Sequence, residues 1–391
     1  TEAMKILFVS ALMPYPLHSG GQVRVYNLLS RLSRHHEITL VTFLRDLSDK
    51  RYEKELPFCK KIITVYRGSA WQPGYVARSL LGDKPLLLTS YTHTRLREEI
   101  RRELEDFQYD LIHIEPWYVW PSLPTATIPM VVATHNIEYE VYTEYVHRFP
   151  IVPLRPGYYW DVLKLCCWEK RVWKHASHVV AVSQDDASVI RKSVRSAVPV
   201  SVVPNGVDVS SFRFETKKPG GVPVFLFVGS FMWMQNRDAV QWLMKSIWPM
   251  LAKRFSGAIL RIVGRSMPPK LRELVANTRV TLLEHVENIE EEFHNADVLM
   301  APIRIGGGTS FKILEAMACG LPVVTTTLGA AGLNVAHGRE LLIANTEDKL
   351  VEAASLLVRS PKKRGEITRY ARKTIERNYA WDTIAKSLDL V

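Results

Sequence analysis

A chain of 391 residues that is 47% hydrophobic is long enough for two buried cores and too short for a third. No run approaches the ~18 apolar residues that span a bilayer as a helix, and the apolar block at 6–9 is too short for a secretory leader. The net charge of +11 points to an anionic partner, for which nucleic acid, anionic lipid headgroups and a pyrophosphate-linked carrier compete; without zinc-finger spacing or any other nucleic-acid motif, nucleic acid is set aside.

Apolar runs at 5–10, 38–43, 62–66, 111–114, 130–134, 179–182 and 200–203 alternate with helical patterns through the first half. That alternation predicts a parallel sheet wrapped by helices. After the first run, Gly20 and Gly21 open a helical pattern carrying Val25, Leu28, Leu29 and Leu32, either as a tight turn or as a place where backbone meets a ligand. Between 95 and 107, Leu96, Ile100, Leu104 and Phe107 form the expected buried side of a helix, with arginines and glutamates on a solvated side. His135 stands at the end of the fifth run, where a ligand-binding histidine and an ordinary satisfied one are both plausible. Glu138 and Glu140 follow it and read first as a solvated helix start, second as acceptor contacts.

From Tyr158 to Lys174, aromatics are interleaved with Lys164, Lys170 and Arg171. Packing of the apolar side on the core is the preferred reading; rest on an anionic membrane is the other. Four cysteines, Cys59, Cys166, Cys167 and Cys319, form neither a CxxC pair nor a disulfide framework. They suggest a reducing, cytoplasmic setting, extending to the inner face of the membrane. Thr1-Glu2-Ala3 ahead of Met4 reads as an expression remnant.

Residues 212–223, rich in lysine, glycine and proline, read as a linker. Beyond it, runs at 224–229, 259–264, 280–283, 298–300, 323–325 and 341–343 predict a second Rossmann-like domain. Its most informative stretch is Gly306-Gly307-Gly308-Thr309-Ser310-Phe311-Lys312-Ile313-Leu314-Glu315, placed between two apolar runs and therefore at the carboxyl edge of a sheet. Glycines let backbone approach an anion, and the N–H groups of Thr309, Ser310 and Phe311 would face it at the positive end of a helix. Glu315 lies about one and a half turns further on, which suits the ribose attached to a pyrophosphate. Leu314, Met317, Ala318 and Leu321 are the expected core stripe, with Lys312, Glu315 and Cys319 on the opposite side.

The segment from Glu315 to Val324, Glu-Ala-Met-Ala-Cys-Gly-Leu-Pro-Val-Val, resembles the signature of the retaining nucleotide-sugar glycosyltransferases of the GT-B fold, fourth family. Pro204-Asn205-Gly206-Val207-Asp208 matches a turn of the same family. The resemblance implies an α/β architecture of two Rossmann-like domains facing a central cleft. The expected division is residues 1–211 on the acceptor side, 212–375 binding the nucleotide sugar, and a terminal helix at 376–391 crossing back. It also implies donor contacts from Gly20, Gly21, Gly229, Arg265, Gly306, Gly307, Gly308, Thr309, Ser310, Lys312 and Glu315, with His135, Glu315 and Arg304 as catalytic candidates and Glu138 and Glu140 toward the acceptor.

This chain departs from the family in two ways. An earlier glutamate of many members falls on Gly307, and a basic pair that neutralises the pyrophosphate falls on Ser230 and Asn236. Two phosphates leaving bulk water need compensating charge, so Arg304, then Lys312 and Arg265, are the expected substitutes. No Asp-x-Asp motif occurs, so no metal and no cofactor are expected, the nucleotide sugar being a substrate. The expected acceptor is a glycan, lipid-linked or small-molecule hydroxyl. A sugar-nucleotide epimerase or hydrolase of the same fold, and a non-catalytic scaffold that keeps the nucleotide pocket, are the alternatives.

Overall fold

Each apolar run becomes a strand. In the computed structural model, which describes residues 2–69, 72–147, 149, 151–195, 197–216, 220–276, 279–284, 286–306 and 308–391, the first half contains β1 (Lys5–Ser10), β2 (Glu37–Leu44), β3 (Lys61–Tyr66), β4 (Leu111–Glu115), β5 (Met130–Thr134), β6 (His178–Ala181) and β7 (Val200–Val202). They form one parallel sheet in the order β3-β2-β1-β4-β5-β6-β7. The second half contributes β8 (Val224–Val228), β9 (Ile259–Val263), β10 (Val280–Leu283), β11 (Val298–Ala301), β12 (Val323–Thr325) and β13 (Leu342–Ile343), parallel in the order β10-β9-β8-β11-β12-β13. Parallel strands covered on both faces are apolar throughout rather than alternating, which is why they read as runs.

Each sheet has its own core. Leu7, Val9, Ile112, Ile114, Trp117 and Trp173 pack together in the first. In the second, the pleat sends Phe225 and Phe227 of β8 to one face and Leu226 to the other, where it meets Leu299, Ile313, Leu314 and Met317. Fully burying each such side chain contributes roughly 1.5–3 kcal/mol.

The chain divides into one unit of residues 1–204 with 384–391 and another of residues 205–383. The division falls seven residues ahead of the expected one because Val207 belongs to the second core: it packs with Ile375 and Tyr379, and its amide donates to the Tyr379 carbonyl. The segment read as a linker is partly fixed as well. The Glu215 amide donates to the carbonyl of Cys319, and Gly320, at φ +82°, leaves room where a Cβ would stand 2.8 Å from the Glu215 oxygen.

At the other end, the helix Trp381–Asp389 carries the last residues into the first unit. There Asp389 meets the Nε2 of His36 at 2.5 Å, while His36 Nδ1 accepts from the Met4 amide. Among the described residues no helix is long and apolar enough to cross a membrane.

Candidate functional site

In the first unit, the loops after β1, β4 and β5 meet at the carboxyl edge of the sheet. The helix Gly20–Leu32 starts at Ser19, whose hydroxyl accepts from the Gln22 amide, and has no acidic residue in its first turn to offset its positive end. A Cβ added to Gly21 would lie 3.9 Å from both Cε1 and Nδ1 of His135. Gly21 therefore borders the imidazole at ordinary contact distance.

His135 is held from behind by a residue the sequence reading passed over. Its Nε2 lies 2.8 Å from Oε1 of Glu115, the wholly buried last residue of β4. The same carboxylate receives Nε of Arg24 at 2.5 Å and Nε2 of His113 at 2.9 Å. Arg24 also donates to the carbonyls of Val203 and Pro204. Burial alone would neutralise Glu115, but Arg24 and the bonds from His113 and His135 overcome it and hold the carboxyl well below its usual range. An ionised carboxylate only accepts, so His135 Nε2 donates to it, and in the neutral ring Nδ1 is left as an acceptor next to Gly21.

Glu138 and Glu140 part ways. Glu140 is solvated as expected, whereas Glu138 is half-buried, and burial pushes its carboxyl up to about 7. The first amides of the helix Glu138–His147 are taken by Glu169, fully buried on the helix Arg155–His175, at 3.1 Å each. On the helix Thr94–Asp106, Leu96 and Ile100 are buried as expected. Phe107 is half exposed, and Glu103 is buried instead, bonded by Lys61 and the Tyr109 hydroxyl.

In the second unit, the glycine loop follows β11 and leads into the helix Phe311–Cys319. Gly306 and Gly308 take φ of +115° and +74°, which only glycine adopts readily; Gly307 lies outside the described residues. The Ser310 side chain makes no capping bond, there is no acid in the first turn, and the buried Thr309 hydroxyl has no partner. Donors at this helix end remain available to an anion. The helix is buried nearly all round, so Cys319, expected beside Lys312 and Glu315, lies in the core at 1% exposure, and only Phe311, Lys312 and Glu315 reach outward.

Lys312 reaches one of the two positions at which the resemblance expects a basic residue. Its Nζ lies 2.5 Å from Oδ1 of Asn236 and 4.7 Å from the Phe227 ring centroid. Asn236, where the resemblance expects a lysine, donates from its own amide to the Ser230 carbonyl. The ammonium of the glycine-loop helix thus meets the first turn of the helix Met234–Trp242. Burial pushes Lys312 down to about 7, Glu315 opposing, and pushes Glu315 up to about 7, Lys312 opposing. Gly306 sits beside Gln235, so the start of the helix Met234–Trp242 flanks the same loop.

Two expected cations are placed differently. Arg304, the first choice, makes two bonds to Asp238 at 3.1 and 2.9 Å and stacks over Trp242. A guanidinium paired with a carboxylate brings no net charge to an anion. Arg265 is exposed just past β9, its carbonyl accepting from Phe231. Gly229 serves packing: a Cβ there would collide with the Asn236 amide at 2.7 Å, and one on Gly264 with the Gly229 carbonyl.

Comparison with known proteins agrees with this geometry. Residues 18–211 match the family model described as Glycosyltransferase Family 4, and residues 222–360 match Glycosyl transferases group 1. The lipopolysaccharide core biosynthesis mannosyltransferase LpsB of Rhizobium meliloti is 31% identical over 209 residues, covering 48% of this chain and 57% of that protein. Among solved structures, sucrose-phosphate synthase of Thermosynechococcus elongatus superposes with a TM-score of 0.77 at 19% identity, covering 99% of this chain and 98% of that one. Anabaena HepE in complex with UDP and glucose superposes at 0.67 and 16% identity, with 99% and 98% covered. The chain belongs to the group 1 glycosyltransferases and is an enzyme of the GT-B type.

Proposed function

We propose that the protein transfers a sugar, with retention of anomeric configuration and without a metal, from a UDP- or GDP-sugar to a hydroxyl of a glycan, lipid-linked or small-molecule acceptor. The observation that carries this reading is the contact between Lys312 and Asn236, which supplies a cation for the diphosphate where the family's basic pair is missing. Lys312 and the helix N-terminus hold the leaving nucleoside diphosphate, and Glu315 takes the ribose hydroxyls. His135, with Nδ1 clear of Glu115, hydrogen-bonds the donor sugar. Among the described residues no side chain is set as a double-displacement nucleophile, so the acceptor oxygen attacks the anomeric carbon from the leaving-group face. The bond from that carbon to the diphosphate breaks through an oxocarbenium-like state, and a donor phosphate oxygen takes the hydroxyl proton.

A peripheral seat on an anionic membrane forms part of the proposal. The helix Arg155–His175 buries Val162, Leu165, Val172 and Trp173 in the core, which is the preferred packing, yet leaves Trp160 and Leu163 mostly exposed beside Arg171 and Lys174. Lys164 ties this helix to Ser79, next to the exposed Leu80 and Leu81.

The test is product analysis with UDP- and GDP-sugars, with and without candidate acceptors and with EDTA present. The reading expects a glycosylated acceptor of retained configuration, unaffected by EDTA and lost in Glu315→Ala. Epimerised or hydrolysed donor as the sole product would replace it with the epimerase or hydrolase reading, and nucleotide binding without turnover would leave the non-catalytic scaffold.

A further inference from the structure

The first unit buries a second arginine, and this one has no acid. Arg67 follows β3 directly and is 5% exposed. Its guanidinium lies 4.3 Å over the Tyr91 ring, its Nη1 makes one long bond, 3.4 Å, to the Ser90 carbonyl, and its buried Nε–H has no partner. No carboxylate lies within ion-pair distance of it among the described residues. Arg24, on the helix Gly20–Leu32 and buried as well, is matched by Glu115. A buried guanidinium cannot shed its proton, so the charge at Arg67 is permanent and uncompensated.

Its surroundings repeat the pattern. His93 has a buried Nδ1 without a partner, and burial, then the charges of Arg95 and Arg67, hold it below its ordinary value. Trp117, wholly buried after β4, leaves its indole N–H unbonded. The frame itself is rigid: the Ser122 hydroxyl accepts from the His93 amide and donates to the Tyr91 carbonyl, while Tyr91 packs on Tyr118 at 4.6 Å and Phe43 on both Tyr91 and His93. Buried polar groups in native proteins are nearly always satisfied, so an orphaned imidazole nitrogen beside an unpaired cation marks a place completed by something outside the chain.

We propose that Arg67, with His93 beside it, is a subsite for an oxyanion, a phosphate or carboxylate, carried by the acceptor. The proposal rests on the glycosyltransferase reading and narrows its acceptor to a molecule bearing a negative group in addition to the hydroxyl that reacts. Arg67 binds the oxyanion through Nε–H and its terminal N–H groups.

The test uses the full chain saturated with whichever of UDP, GDP, ADP or dTDP binds, so that the donor site is closed to anions. Inorganic phosphate and glucuronate are titrated at constant ionic strength while the thermal midpoint and tryptophan fluorescence are followed. The wild type is expected to gain about 2 °C or more near saturation, and Arg67→Gln to lose at least ~10-fold in anion affinity with nucleotide affinity unchanged. Arg67→Met, which removes the buried charge but keeps its volume, provides the same comparison should the glutamine variant fold poorly. An equal response in wild type and variant, or none in the wild type, overturns the proposal. If no nucleotide binds, the donor reading fails by itself, and the wild-type and variant comparison without nucleotide still decides Arg67. Co-sedimentation with phosphatidylglycerol vesicles, phosphatidylcholine vesicles serving as control, then assigns the source. Binding that needs Arg67 indicates a lipid headgroup, and Arg67-independent vesicle binding alongside Arg67-dependent anion binding indicates a soluble acid.

Discussion

Glu115 and Glu315 both stand near the carboxyl edge of a parallel sheet, and their surroundings push them in opposite directions. Glu115 is surrounded by Arg24, His113 and His135 and stays ionised although no water reaches it. Glu315 has only Lys312, itself half-buried, and burial raises it to about 7. The first carboxylate completes its electrostatics within the protein and fixes a histidine. The second pair is left unsettled until a ligand arrives. A structural network and a binding pocket can thus be told apart by whether the chain has already supplied the countercharge.

The largest effect expected from breaking this contrast is on stability. Glu115→Ala strands Arg24 as a buried cation and should cost about 3–5 kcal/mol in urea unfolding. The contribution of Glu115 is present above its unfolded value near 4.5 and is lost as the pH falls through its depressed folded value, so acid should erode the wild type but not the variant. Lys312→Met should behave in the reverse sense, leaving stability unchanged or higher because a desolvated charge is gone, while nucleoside diphosphate affinity falls by about 1.5–3 kcal/mol, roughly 10- to 150-fold. Glu315→Gln should cost less, about 1–2 kcal/mol in donor binding measured by calorimetry, since the amide still reaches the ribose. The smallest effect concerns pH. Lys312 and Glu315 both titrate about 7, so the pocket passes from net positive below neutrality to net negative above it. Diphosphate affinity should fall by up to about tenfold per pH unit above 7, with proton uptake on binding detectable by calorimetry in buffers of different ionisation enthalpy.

Every strand was legible because a doubly covered parallel strand must be apolar from end to end, and such runs end where the loops begin. The glycine loop was legible for a related reason: consecutive glycines before a helix have few other uses. What joins distant positions was not. Lys312 and Asn236 are 76 residues apart, and nothing in either neighbourhood says that one ammonium fills the place left by the other. Arg24 reads as the polar side of a helix and Glu115 as the end of a strand; a carboxylate closing an apolar run two residues after His113, on the same side of the strand, was the one available signal. The pairing of Arg304 with Asp238, 66 residues away, was equally hidden.

The account rests on Lys312 and the glycine-loop helix holding a nucleoside diphosphate. Calorimetric titration of the wild type and Lys312→Met with UDP, GDP, ADP and dTDP, each with magnesium and with EDTA, tests this directly. It predicts that at least one nucleotide binds the wild type equally well in both conditions and at least ~10-fold more weakly to the variant. No binding at millimolar concentration, or the same affinity in both proteins, would contradict it.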